Sequence, residues 1–232
     1  MPGNLTLPTP NAYRSPFRHF DGTYDWRSEL EYGFAMIDAQ SSGSLAACLV
    51  EPILSSGGII EPHLLTLSKT LGAGLPVAAV VTSEESERVC YEGEFLFFTT
   101  HVSDPLAAAV ALTVLTVVGR DGLVEQAARL GKQLTERLLD MQDRYGQVGD
   151  VRGRGLLQGL ELVSDKTSKT LADRLGAGVT AACLERGLHM NIVQLPGMGG
   201  IFRIAPPLTI SDSELEAGLD ILDDALGSVL AR

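Results

Sequence analysis

Lys69 stands where an apolar run meets a turn, in the stretch LLTLSKTLGAGLPVAAVVT (64–82), with Gly72, Gly74 and Pro76 close behind it. The carboxyl edge of an open α/β sheet is where ligands bind. A lysine shielded from water there has a lowered pKa, and its amine attacks a carbonyl to form a Schiff base. A solvated lysine beside turn glycines has the same local sequence, so this window alone leaves both readings open. The other chemistry-bearing residues narrow the field. His19, His63, His101 and His189 lack metal-ligand spacing, and Cys48, Cys90 and Cys183 form no C-x-x-C pair, so neither a zinc knuckle nor a disulfide framework is indicated. Gly153 and Gly155, like Gly197, Gly199 and Gly200, read as backbone bends, because no phosphate-loop or dinucleotide glycine pattern follows a strand.

The elements that must carry Lys69 follow from periodicity. Leu64–Leu67 and Val77–Val81 are short apolar runs bounded by turn residues, which suits buried strands. LAACLVEP (45–52) reads the same way, but a parallel crossover from Glu51 to Leu64 needs a helix that ILSSGGIIEPH does not supply. Trp26, Leu30, Phe34 and Ile37 predict a helix that stops before Ser41. A short polar helix is expected near Glu84–Val89, a longer one from an N-cap at Asp104 to Val118, and another over 122–144 with Leu123, Leu130, Leu134, Leu138 and Met141 on one face. Strand material with glycine bends follows in VGDVRGRGLLQGLELV (148–163), then a helix near 168–186, strands near 188–194 and 201–205, and a last helix from a capping box at Ser211–Glu214. Residues 1–22 are rich in turn formers and read as loop or poorly ordered chain. The expected fold class is α/β, with a partial large domain at 1–119 and a smaller α+β domain at 120–232.

Composition limits the partners. The chain has 18 Lys and Arg against 29 Asp and Glu, a net charge of −11, which argues against nucleic acid and anionic membrane and for a small-molecule ligand. The amino terminus lacks the basic start and apolar core of a signal peptide, and no apolar run is long enough to span a bilayer, so a cytoplasmic protein is expected.

Lys69, FFTTHVSDPL (97–106), DVRGRGLLQGLEL (150–162) and GGIFRIAPPLT (199–209), in that order, make the sequence resemble class III aminotransferases of PLP fold type I. Thr99–Pro105 departs from the T-x-G-x-N-P type block of the general transaminases and favours the 2,2-dialkylglycine decarboxylase branch. The resemblance implies that Lys69 carries pyridoxal 5'-phosphate and, once freed, shuttles a proton. It implies that Arg203 clamps the substrate carboxylate, a bidentate geometry that guanidinium provides. Glu51 matches a glutamate that neutralises such an arginine, Ser56 a substrate-side hydroxyl, and Thr100 the threonine that reaches the cofactor phosphate of a neighbouring subunit. Thr100, Val102 and Asp104 match ligands of an alkali-metal ion, although Asp104 reads as well as a helix N-cap. The implied substrates are an amino acid and a 2-oxo acid, and the implied assembly is a homodimer or a pairing with a full-length relative. The reaction implied is decarboxylation-coupled transamination, with simple transamination or a lyase cleavage using the same lysine.

The resemblance covers only the second half of a family member. Between Ile60 and Leu64 the family inserts a helix and a strand ending in D-E-x-x-x-G, whose aspartate pairs with the pyridinium nitrogen. Here Glu61-Pro62-His63 stands in its place. The glycine-rich phosphate turn and the stacking aromatic of the amino half are also missing. The competing expectation is therefore a catalytically inactive, truncated remnant.

Overall fold

Leu130, Leu134, Leu138 and Met141 recur at four- and three-residue steps and are fully buried, so α4 (Leu123–Arg144) supplies one apolar wall of a core. The computed structural model describes residues 5–7, 11–41, 64–95, 100–190 and 200–230. It divides into two units, Met1–Ile59 with Ala127–Arg232, and Ile60–Gln126. The second unit ends at Gln126, and the amino-terminal segment groups with the carboxyl-terminal part.

In the first unit, β3 (Val148–Arg154) and β4 (Leu157–Asp165) form an antiparallel hairpin. β6 (Ile201–Ile204) pairs antiparallel with β4, and the two-residue β5 (Thr170–Leu171) pairs with the carboxyl end of β4. α5 (Asp173–Glu185) and α6 (Asp212–Leu230) complete the core, where Val179, Cys183, Leu219 and Leu226 meet Leu160, Leu162 and Phe202. The side chains of β4 explain the layering, since Gln158, Leu160 and Leu162 alternate onto the core face. The capping box at α6 is present: the Glu214 amide donates to the Ser211 hydroxyl at 3.2 Å, and the Ser211 amide donates to the Glu214 carboxylate at 2.9 Å. Arg129 with Asp212, Arg137 with Glu216 and Asp220, and Arg144 with Asp223 tie α4 to α6. At Gly131 a β-carbon would lie 2.3 Å from the Gly155 Cα, so the helix backbone touches the hairpin turn directly.

Residues 11–22 form turns and loop, the first of the two expected alternatives, and side chains from elsewhere hold them. The Lys169 ammonium donates to the Tyr13 carbonyl, its nitrogen 4.3 Å from the centre of the Tyr13 ring, and Arg18 bridges to Tyr24 before α1 (Trp26–Gln40). Asp25 caps α1 by accepting from the Ser28 amide at 3.0 Å.

In the second unit, β1 (Leu64–Leu67) and β2 (Ala79–Thr82) form an antiparallel two-stranded ribbon. The tight reversal over 69–74 dictates this direction, because a parallel return needs a crossover of a dozen residues or more. The expectation of buried strands fails here: Thr66, Val80 and Val81 are exposed, since no layer covers this ribbon among the described residues. α2 (Glu84–Glu92) and α3 (Pro105–Arg120) follow, and the turn at 69–72 packs against α3. α3 buries none of its side chains, and Leu106, Leu112 and Leu115 are exposed. The helix expected at 168–186 starts later, at Asp173, because Thr170–Leu171 extend to pair with β4. Residues 188–190 form no strand, and the LAACLVEP strand and 191–194 lie outside the described residues. Among the described residues no single helix is long and apolar enough to cross a membrane.

Candidate active site

Lys69 begins a single 3-10 turn, Lys69–Gly72, two residues beyond the end of β1. Its φ is 56°, in the left-handed region that an L residue rarely adopts. The turn closes through Leu71 N–H to the Ser68 carbonyl at 3.3 Å and Ala73 N–H to the Thr70 carbonyl at 3.1 Å. Leu71 and Gly72 are buried beneath it. A side chain at Gly72 would press on Val77, with its β-carbon 3.2 Å from the Val77 Cγ2, so this glycine lets the returning chain close over the turn. The lysine side chain is exposed, and among the described residues it makes no hydrogen bond or ion pair. The expected strand-end position is therefore present, whereas the expected shielding from water is not provided by the described residues.

Thr100 and Val102 lie exposed in the turn before α3. Asp104 accepts from the Leu106 amide at 3.1 Å and so caps α3, with Pro105 at the first helical position, where its missing N–H costs nothing. That bond commits Asp104 to the helix. The alkali-metal expectation for Thr100, Val102 and Asp104 finds no support here, and no metal-binding cluster of His, Cys, Asp and Glu occurs among the described residues. Glu51 and Ser56 lie outside the described residues.

Arg203 is on β6 and pairs with Gly159 of β4, which in turn pairs with Arg152 of β3. Residues paired across antiparallel strands share a face, so Arg152 and Arg203 flank the bare Gly159 on the face turned away from the core. Arg203 is exposed and unpaired among the described residues. Glu161, one step along β4, is fully buried. Its Oε1 accepts from Arg14 Nε at 2.9 Å and from Arg14 Nη2, and its Oε2 accepts from Arg152 Nη1 at 2.9 Å. Arg152 also donates to Asp150 at 2.5 Å. Burial opposes the Arg152 charge, but the hydrogen bonds to Asp150 and Glu161 outweigh it and hold the guanidinium protonated. Burial, then Glu161 and Asp150, push the Tyr13 phenol up. Sequence reasoning missed this network. Its signal was an acid placed among the apolar residues of LLQGLELV, which a strand buries only with a partner.

The two described cavities are elsewhere. One of about 280 Å³ lies between α5 and α6, beside Arg186 and Ser228, and one of about 170 Å³ lies beside Tyr32 and Met36. Lys69, Thr100 and Arg203 line neither.

The class-III aminotransferase family model matches residues 59–226. The chain belongs to the class-III aminotransferase family. An uncharacterized aminotransferase of Schizosaccharomyces pombe is 46% identical over 270 aligned positions, covering 97% of this chain and 60% of the relative. Because 270 positions exceed the 232 residues of this chain, at least 38 positions of that relative face gaps in it. A (R)-1-hydroxy-2-aminoethylphosphonate ammonia-lyase of Vibrio splendidus is 35% identical, over 73% of this chain and 34% of the relative. The PMP-bound form of an aminotransferase from Vibrio fluvialis superposes with a TM-score of 0.65 at 28% identity, over 75% of this chain and 39% of that one. This class-III chain thus spans about a third to three fifths of the relatives it matches, with a fold type I architecture that is partial.

Proposed function

We propose that this chain supplies the carbonyl-reactive lysine and the carboxylate-binding arginine of a pyridoxal-phosphate site that moves an amino group between an amino acid and a 2-oxo acid. The observation that carries the reading is Lys69, exposed at the strand end and unpaired among the described residues, in a segment matched by the family model. An unpaired primary amine suits the carbonyl of that cofactor, and Arg203 suits a substrate carboxylate.

The described residues do not complete the fit. Among the described residues Lys69 lines neither of the two cavities, and the turn before α3 offers exposed hydroxyls at Thr100 and Ser103 as phosphate contacts. We therefore assign the remaining contacts to a partner chain, either a second copy or a full-length relative, and assign no chemical step to this chain alone. Decarboxylation-coupled transamination is the finer proposal, supported by the Thr99–Pro105 block.

Incubation with pyridoxal phosphate, borohydride reduction and peptide mapping test the reading. The pyridoxyl group is expected on the Lys69 peptide ahead of other lysines, and dialysis before reduction is expected to remove it. Labelling spread evenly over the surface lysines overturns the assignment.

A further inference from the structure

Arg203 is unpaired among the described residues, and a carboxylate, Glu161, stands on the same face of the sheet. Glu161 pairs with Ile201 and Gly159 with Arg203, so Glu161 and Arg203 are diagonal neighbours on one sheet face. Long side chains span that spacing. Gly159 puts no side chain between them; the three atoms nearest to a β-carbon built there all belong to Arg152, 3.5–3.9 Å away. What holds Glu161 back is the segment before α1, whose Arg14 occupies Oε1 with two N–H groups while Arg152 occupies Oε2.

We propose that Arg14, carried by the segment 11–18, is a positioning residue that keeps Glu161 from capturing Arg203 and so keeps the arginine open for a carboxylate ligand. The inference rests on the reading of Arg203 given above and adds its regulation. Two contacts fix the segment as a strap: Lys169 holds the Tyr13 carbonyl, and the Tyr13 hydroxyl packs where Gly149 has no side chain, while Arg18 braces the segment internally by donating to the Ala12 carbonyl at 2.6 Å. Arg152 Nη1 is shared between Asp150 and Glu161 Oε2 and its buried Nε makes no hydrogen bond, so in this geometry Oε1 is served by Arg14. Without Arg14, Oε1 is a buried carboxylate oxygen with no donor, a costly state that Arg203 relieves by turning toward it. The free carboxylate site then closes from within. Asp150 and Glu161 balance Arg14 and Arg152, and Arg203 has no ion-pair partner among the described residues.

The test is the rate of phenylglyoxal modification at each arginine, read by peptide mass mapping of the full chain. In the natural protein Arg203 is expected to react fast and Arg152 slowly. In Arg14→Ala the Arg203 rate is expected to fall about three- to fivefold, the size of a half-exposed ion pair, and Arg14→Ala with Glu161→Gln is expected to restore it. An unchanged or faster Arg203 with Arg152 still protected overturns the proposal, as does a double variant as slow as the single one. Should Arg14→Ala loosen the unit, seen as lost protection of Arg152, Arg14→Met, which keeps the bulk of the side chain and no donor, carries the same expectation. Neither cofactor nor Lys69 enters this assay, so its failure and a failure of the Lys69 labelling are separate results.

Discussion

Lys69→Gly is expected to stabilise the turn while removing its chemistry. At φ 56° an L side chain costs about 1–2 kcal/mol in the left-handed region. Glycine escapes that cost but gains freedom in the unfolded chain worth about 0.4–1 kcal/mol. The difference favours Lys69→Gly by about 0.5–1 kcal/mol, a factor of about two to five in local opening. Lys69 makes no hydrogen bond or ion pair among the described residues, so nothing is subtracted for a lost contact. Lys69→Ala keeps the β-carbon and gains nothing, which makes it the control. Hydrogen exchange at the Leu71 and Ala73 amides reads the effect, since these two N–H groups close the turn. Exchange should slow about two- to fivefold in Lys69→Gly and stay unchanged in Lys69→Ala, and both variants should lose pyridoxyl labelling of this peptide. Equal protection in both variants, or none in the glycine variant, would refute strain at this backbone as its source. The expected result would mark Lys69 as a residue kept for its amine against its backbone preference.

Leu134→Ala, at a fully buried position of α4, should destabilise the first unit by about 3–4 kcal/mol in urea titration. Burial raises the Asp223 carboxyl, but hydrogen bonds from Arg144 and Tyr145 outweigh it and hold it below the ordinary range. A depressed folded pKa gives stability that is fully present above the unfolded value of about 3.9 and is lost as pH falls through the folded one. Asp223→Asn should therefore reduce the loss of stability on acidification from about pH 4 downward, measured by thermal melts. Burial pushes the Cys183 thiol up to about 11, with Arg186 opposing. Iodoacetamide at neutral pH should therefore label the exposed Cys90 and reach Cys183 only on unfolding.

Local chemistry made much of this chain readable. The caps at Asp104 and Ser211 each satisfy an amide within three residues, so a short sequence window contains donor and acceptor together. The leucine face of α4 is equally local, because period alone puts those side chains on one side. The failures are long-range. Val80 and Val81 carry the pattern of a buried strand, yet burial needs a covering layer that their own sequence cannot report. Arg14 and Glu161 are 147 residues apart, and neither position shows that the other exists. At the candidate site, Lys69 and Arg203 were readable through short motifs, while the Arg14 strap beside Arg203 was visible only once the strands had been put in register.

The contact between Gly131 and Gly155 acts as a mechanical stop. Two main chains meet there with no side chain between them, so the height of the β3–β4 turn above α4 is fixed by atomic radii and not by any rotamer. Core side chains elsewhere can be exchanged and repacked without moving that reference level. A methyl group at Gly131 would wedge the turn upward and tilt β3 with it, and with β3 the Arg152 end of the arginine row. The tolerance of the Arg203 face to variation is thus set by two residues that carry no side chain at all.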